Sequence, residues 1–91
     1  MPTTTTITLV HASACHFCAD AQDALTGLAR QHPIRVDLVA ADSDTGQRLI
    51  GAHHPAMFPL VLVDGGFFSA GRLPRRKLRA LLAAQPAAAR S

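Results

Sequence analysis

The two cysteines of this 91-residue chain stand close together, as Cys15-His16-Phe17-Cys18. Two sulfurs three positions apart on a helix lie on one face, one turn from each other and within reach of a disulfide. At the first turn of a helix the leading cysteine meets backbone N–H groups that lack intrahelical partners, together with the positive end of the helix dipole. Both favour thiolate over thiol and lower the pKa from its ordinary value. The chemistry such a pair supports is thiol–disulfide exchange. Cys15 attacks a substrate disulfide, and Cys18 resolves the mixed disulfide by attacking the sulfur of Cys15. Metals are the second reading, because Cys-x-x-Cys also binds them. His11 precedes Cys15 by four residues, and His53 and His54 precede Pro55, so a Cys₂His₂ set can be written down. In the plainest reading the cysteines are small core residues and the histidines are exposed.

Which chemistry applies depends on the elements around the motif. Ile7 to His11 is a short β-branched run that predicts a strand. After a small-residue loop, Phe17, Ala21, Ala24, Leu25 and Leu28 recur at three- and four-residue spacing, predicting an amphipathic helix from Cys15 to near Gln31, ahead of Pro33. Ile34 to Val39 alternates as a second strand, with Ile34, Val36 and Leu38 on one face. Asp42-Ser43-Asp44 offers N-caps for a short helix through Arg48, Leu49 and Ile50, with Gly51 as its stop and Ala52 to Met57 as a loop. Leu60 to Val63 is an unbroken apolar run, and Asp64-Gly65-Gly66 is a hairpin turn returning through Phe67 to Ser69. Pro74 suits a first helical position, and Leu78, Leu81 and Leu82 give the last helix its buried stripe. Pro86 ends that helix and leaves residues 87–91 as a frayed tail. The order β-α-β-α-β-β-α predicts an α/β domain with a mixed four-stranded sheet, helices on both faces, and the cysteines in the first β-to-α loop. A strand, a Cys-x-x-Cys and a helix in an α/β pattern favour the redox reading. A metallochaperone of ferredoxin-like fold also carries Cys-x-x-Cys after its first strand, but it ends in a strand and this chain ends in a helix.

Composition narrows the classes further. With no tyrosine or tryptophan, the core must rest on Leu, Val and Ile together with Phe17, Phe58, Phe67 and Phe68. The formal charge of +3 is uneven: Arg72, Arg75, Arg76, Lys77 and Arg79 crowd one stretch near the C-terminus. Such a cluster attracts acidic partners or nucleic acid, although a solvated helix face is the plainer reading. No aromatics interleave with it for base stacking, which argues against nucleic acid. The first residues, Met-Pro-Thr-Thr-Thr-Thr, form no basic leader or apolar core of a secretory signal, and no run approaches a membrane span. The expectation is a cytoplasmic protein without a membrane partner. There, cysteines serve redox or metal chemistry more often than structural stapling.

Taken together, the strand before Cys15-His16-Phe17-Cys18, Phe58-Pro59 leading into Leu60-Val61-Leu62-Val63-Asp64-Gly65-Gly66, and the closing helix resemble a glutaredoxin-type member of the thioredoxin superfamily. The likeness runs from Ile7 to about Ala84 within a single domain of residues 1–91. The resemblance implies a thioredoxin-like fold and a cis peptide bond before Pro59. It also implies that Phe58 offers its backbone to an extended substrate beside Cys15, and it keeps open an iron–sulfur cluster shared with a thiol cofactor. Glutathione-using members carry a small β-branched residue before that proline and a Gly-Gly-Cys/Ser-Asp signature after the hairpin. Here Phe58 takes the first position, and Ser69-Ala70-Gly71-Arg72-Leu73 replaces the second without its acidic residue. The pattern is closer to short glutaredoxin-like proteins in which a Val-Asp-Gly hairpin precedes Gly-Arg-Leu.

The expected function is therefore a thiol–disulfide oxidoreductase acting in electron transport, with Cys15 and Cys18 catalytic and His16, Phe17, Phe58 and Pro59 shaping the substrate site. No metal or organic cofactor is required, with glutathione or another low-molecular-weight thiol as the candidate if one is used. Expected partners are a disulfide-containing protein or small thiol and a reductase that donates electrons. His16 either favours the thiolate or is a solvated loop residue. Phe17 has the spacing to pack inward, and otherwise belongs to the rim around the cysteines. Arg72 is placed to meet an anionic thiol or a partner. In the third class, a non-enzymatic docking module using the basic helix, the protein would not need both cysteines.

Overall fold

Thr5–His11 form β1, and its alternation of Ile7 and Leu9 with Thr6 and Thr8 is that of a strand with one strongly apolar face. The computed structural model describes residues 4–84. Within it β1 lies inside a four-stranded sheet of order β2-β1-β3-β4, with β2 spanning Ile34–Ala40, β3 Leu60–Val63 and β4 Gly66–Ala70. β1 pairs in parallel with β2 from Thr5↔Ile34 to His11↔Ala40, and antiparallel with β3 through Ile7↔Val63 to Val10↔Leu60. Helices α1 (His16–Ala29), α2 (Asp44–His53) and α3 (Arg75–Ala83) complete the expected order. The two expectations that fall on residues 85–91, the stop at Pro86 and the tail, lie outside the described residues.

The sheet separates two apolar clusters. On one face Ile7, Leu9, Val61 and Phe68 meet Ala21, Leu25 and Leu28 of α1 and Leu78 and Leu82 of α3. On the other, Val10, Leu60 and Leu62 meet Leu49 and Ile50 of α2. The hairpin between β3 and β4 has positive φ at Asp64 (49°) and Gly65 (86°), as a tight Asp-Gly turn requires. Asp64 also reaches across the sheet: its carboxylate accepts the Thr6 N–H at 2.8 Å and its own N–H donates to the Thr6 carbonyl at 2.7 Å.

β1, β2 and β4 run one or two residues beyond the sequence expectations, and three helix boundaries differ from theirs. Gly51 does not stop α2. The helix continues to His53 and ends at His54, which is left-handed (φ 48°) and donates its N–H to the Ile50 carbonyl. Pro55 sets this end, because a proline disfavours right-handed helical geometry in the residue before it. Pro74 is the N-cap of α3, not its first helical residue, with φ −79° and ψ 87°. α1 stops at Ala29, short of Gln31, where Arg30 caps it. Exposure differs too. Leu38 is 53% exposed because β2 is an edge strand and the α1 cluster covers it only along Ile34 and Val36. Phe67 is 56% exposed, since a register shift between Val61 and Leu62 sets Phe67 opposite Leu62 and leaves Phe68 to enter the core.

The N-cap of α2 is Ser43, one of the expected candidates. Its hydroxyl oxygen accepts the Gly46 N–H at 3.0 Å, while the hydroxyl donates to the Ala40 carbonyl at 2.7 Å. Ser43→Ala removes both bonds and should cost about 1–2 kcal/mol in urea denaturation. Ser43→Asp, which still accepts from Gly46, should recover part of that loss.

Candidate active site

The sheet and α1 together deliver the cysteines. β1 ends at His11, and the chain turns through Ala14 in a left-handed conformation (φ 52°). This brings Cys15 to the N-cap of α1 with extended backbone, φ −111° and ψ 106°. Its sulfur accepts the Cys18 N–H at 3.1 Å, so a cysteine fills the capping role more often taken by serine or aspartate. Cys15 and Cys18 are joined as a disulfide, with 5.2 Å between their Cα atoms. The two sulfurs are unlike in environment. Cys18 is 3% exposed and faces the α1 side of the core, whereas Cys15 is only half-buried.

Around Cys15 is an open, largely apolar hollow of about 500 Å³, lined by Ala12, Ala14, His16, Phe17, Met57 and Phe58. The expectation that Phe17 packs inward is corrected: it is 38% exposed and takes its alternative place on the rim. One residue into α1, its side chain lies before the buried stripe of Cys18, Ala21, Leu25 and Leu28 begins. His16 is exposed on the same rim. Phe58 also lines the hollow, and the Phe58–Pro59 peptide bond is cis. Pro59 itself is fully buried and is not among the lining residues. Its carbonyl accepts the Gly71 N–H at 2.9 Å.

Sequence reasoning did not single out Met57, which is half exposed and lines the hollow together with Phe17. Its partner is Gly71, at φ 98°, where an added Cβ would lie 3.4 Å from the Met57 Cβ. The only signal for Met57 in the sequence is its position next to Phe58-Pro59. Arg72, by contrast, does not line this hollow. It lies with Asp20, Ala21, Leu73 and Arg75 in a separate depression between α1 and α3.

His11, His53 and His54, the histidines of the metal reading, do not gather with the cysteines into a ligand set. His11 lines a different hollow, with Ser13 and Asp42, and His53 lies beside Phe67 with 6.4 Å between ring centres. Phe67 pairs with Leu62, toward the hairpin and away from the Cys15 end of β1. Among the described residues no three His, Cys or Asp side chains gather in a way that could hold a metal ion. None of the described helices is long and apolar enough to cross a membrane.

The four-stranded mixed sheet with its three helices is a thioredoxin-like α/β fold, and it places the Cys15–Cys18 pair at the mouth of α1. No protein-family model matches the chain, nor does any curated protein sequence. Among solved structures it is similar to a single-residue mutant of thioredoxin from Halobacterium salinarum NRC-1, with a TM-score of 0.66 at 20% identity, over 88% of this chain and 73% of that one.

Proposed function

We propose that this chain is a glutaredoxin-like thiol–disulfide oxidoreductase whose substrates are disulfides in extended protein segments. The observation that carries the reading is the unequal pair: a half-buried Cys15 that lines an open hollow at a helix N-terminus, bonded to a buried Cys18. In the reduced protein, the Cys15 thiolate attacks one sulfur of the substrate disulfide. An S–S bond forms to Cys15, the substrate S–S bond breaks, and one substrate thiolate leaves and takes a proton. Cys18 loses its proton and attacks the Cys15 sulfur, which re-forms the intramolecular disulfide and expels the second substrate thiolate. Two electrons and two protons have then passed to the substrate. A reductase or a small thiol must return them to Cys15 and Cys18. No step requires a metal or an organic cofactor.

The rim supports the choice of a protein substrate. Phe17, Met57 and Phe58 offer apolar surface to side chains flanking a disulfide, and Phe58 immediately precedes Pro59 and β3. Support for glutathione is weak, because no acidic residue occupies the stretch from Ser69 to Leu73 that would meet its amino group. The test compares a disulfide-linked peptide with a peptide–glutathione mixed disulfide, using reduced protein and counting released thiols. The expected result is faster reduction of the peptide disulfide, by about tenfold or more, given that apolar side chains entering the rim contribute roughly 1.5–3 kcal/mol each. Reduction that proceeds only with glutathione would reverse the assignment of substrate.

A further inference from the structure

The basic stretch of α3 remains outside this chemistry, and its position is specific. α1 and α3 cover the same face of the sheet, and two adjoining hollows of about 200 and 220 Å³ open between them, sharing Arg75 as a wall. Together they form a trough. Ala21, Ala24 and Gly27 of α1 line one side, and Arg75 and Arg79 of α3, with Arg72 from the segment before it, line the other. A Cβ added at Gly27 would meet nothing within 4 Å, so the trough is open above that residue. All three arginines are exposed. The only ion pair among the described residues joins Arg35 to Asp37, so none of the three is neutralised within this part of the chain. Asp20 is the single acidic residue lining the trough, at the end nearer the cysteines.

We infer that this trough docks an acidic, extended segment of the partner whose disulfide Cys15 attacks. The partner's disulfide rests on the function proposed above; the docking itself does not depend on exchange. Ala21 lies one turn beyond Cys18 on α1, so the near end of the trough is about 4.5 Å along the helix axis from the second cysteine. From Asp20 to Gln31 it runs about 16 Å at 1.5 Å per residue, the length of about five extended residues. Arg75 and Arg79 are one turn apart, about 6 Å along the axis, close to the ~6.8 Å between alternate side chains of an extended strand. The matching ligand therefore carries Asp or Glu at every second position. A second copy of this chain is the wrong partner, with nine Lys and Arg against six Asp. Nucleic acid fits less well, because the lining contains no aromatic ring for a base to stack on.

The test uses the oxidised full chain, so that docking is read without exchange. The probe is a fluorescent decapeptide alternating glutamate and serine, titrated by anisotropy beside a lysine–serine peptide and a ten-nucleotide thymidine strand. The glutamate peptide should bind at least tenfold tighter than either (an order-of-magnitude figure for complementary against repelling charge), and salt should weaken it. R75Q and R79Q should each weaken it about two- to fivefold. R76Q removes the same charge from an exposed residue that lines neither hollow, and should change it less than about twofold. G27E, which places a helix-compatible carboxylate in the trough, should abolish binding while far-UV circular dichroism stays unchanged. Equal losses for R76Q and R79Q would reduce the effect to net charge and overturn the inference. So would tighter binding of the thymidine strand, or no binding of the glutamate peptide. A chain that docks the peptide but exchanges no disulfide would refute the proposed function and leave the trough intact.

Discussion

Serine at position 18 should stall the protein on its substrate as a mixed disulfide at Cys15, and serine at position 15 should abolish exchange. The asymmetry follows from the positions of the two sulfurs. Cys15 is half-buried and lines the apolar hollow, whereas Cys18 is 3% exposed and does not line it. A substrate disulfide can approach only the first. Cys15→Ser replaces an ionisable thiol by a hydroxyl that stays protonated at neutral pH, and the rate should fall by at least about a thousandfold. Cys18→Ser leaves the attack intact and removes the resolving nucleophile, so the adduct should accumulate and be visible by mass spectrometry. pH separates the two roles as well. In C18S, alkylation of Cys15 should reach its plateau below the pH at which a free cysteine does, because the backbone N–H groups at the start of α1 stabilise the thiolate. An adduct forming on Cys18 in C15S, at a rate near that of the native protein, would reverse the two roles.

Gly46→Ala should be among the most destabilising single changes in the molecule. One methyl group on a helix interior is normally favourable, by about 1 kcal/mol relative to glycine. At this position the sign reverses. The new Cβ would overlap the Ala40 carbonyl oxygen and lie 2.9 Å from that of Ala41, both rigid backbone atoms at the end of β2. α2 must then lift from the sheet, disturbing the Ser43 cap and the packing of Leu49 and Ile50 against Val10, Leu60 and Leu62. A loss of about 2–3 kcal/mol is expected, equivalent to roughly 10–20 °C in Tm for a domain of this size. Gly51→Ala and Gly27→Ala are the controls. Both glycines are helical, and an added Cβ at either meets nothing within 4 Å. Each should hold or raise stability by a few tenths to about 1 kcal/mol. Thermal unfolding of the three variants together checks the point; equal Tm values for Gly46→Ala and Gly51→Ala would contradict the close approach of α2 to β2.

The order of elements was legible in the sequence because each signal was local. Alternation in Ile34 to Val39, the unbroken run Leu60 to Val63, the Asp64-Gly65 turn and the leucines of α3 each report a near-neighbour preference. So did the position of Cys15, since a strand, a short loop and a helix start determine what surrounds its sulfur. What remained hidden depends on where an element sits in the sheet. Alternation could group Leu38 with Ile34 and Val36, but could not show that β2 is an edge that α1 only partly covers. Helical spacing could assign Phe17 inward, but the first residues of α1 project over the loop and not over the sheet. Nothing local in the sequence marks Gly46, because its close approach is to the carbonyls of Ala40 and Ala41. Met57 and the trough beside Arg75 are likewise products of packing: each joins side chains from segments that no sequence period connects.

The most direct test of the central claim is a redox titration of the metal-free protein, counting free thiols at Cys15 and Cys18 across buffers of graded potential. The account predicts one reversible two-electron transition between roughly −300 and −120 mV, lost in both single serine variants. Thiols that fail to re-form the bond on reoxidation, or that react only after a chelator has removed a metal, would contradict it.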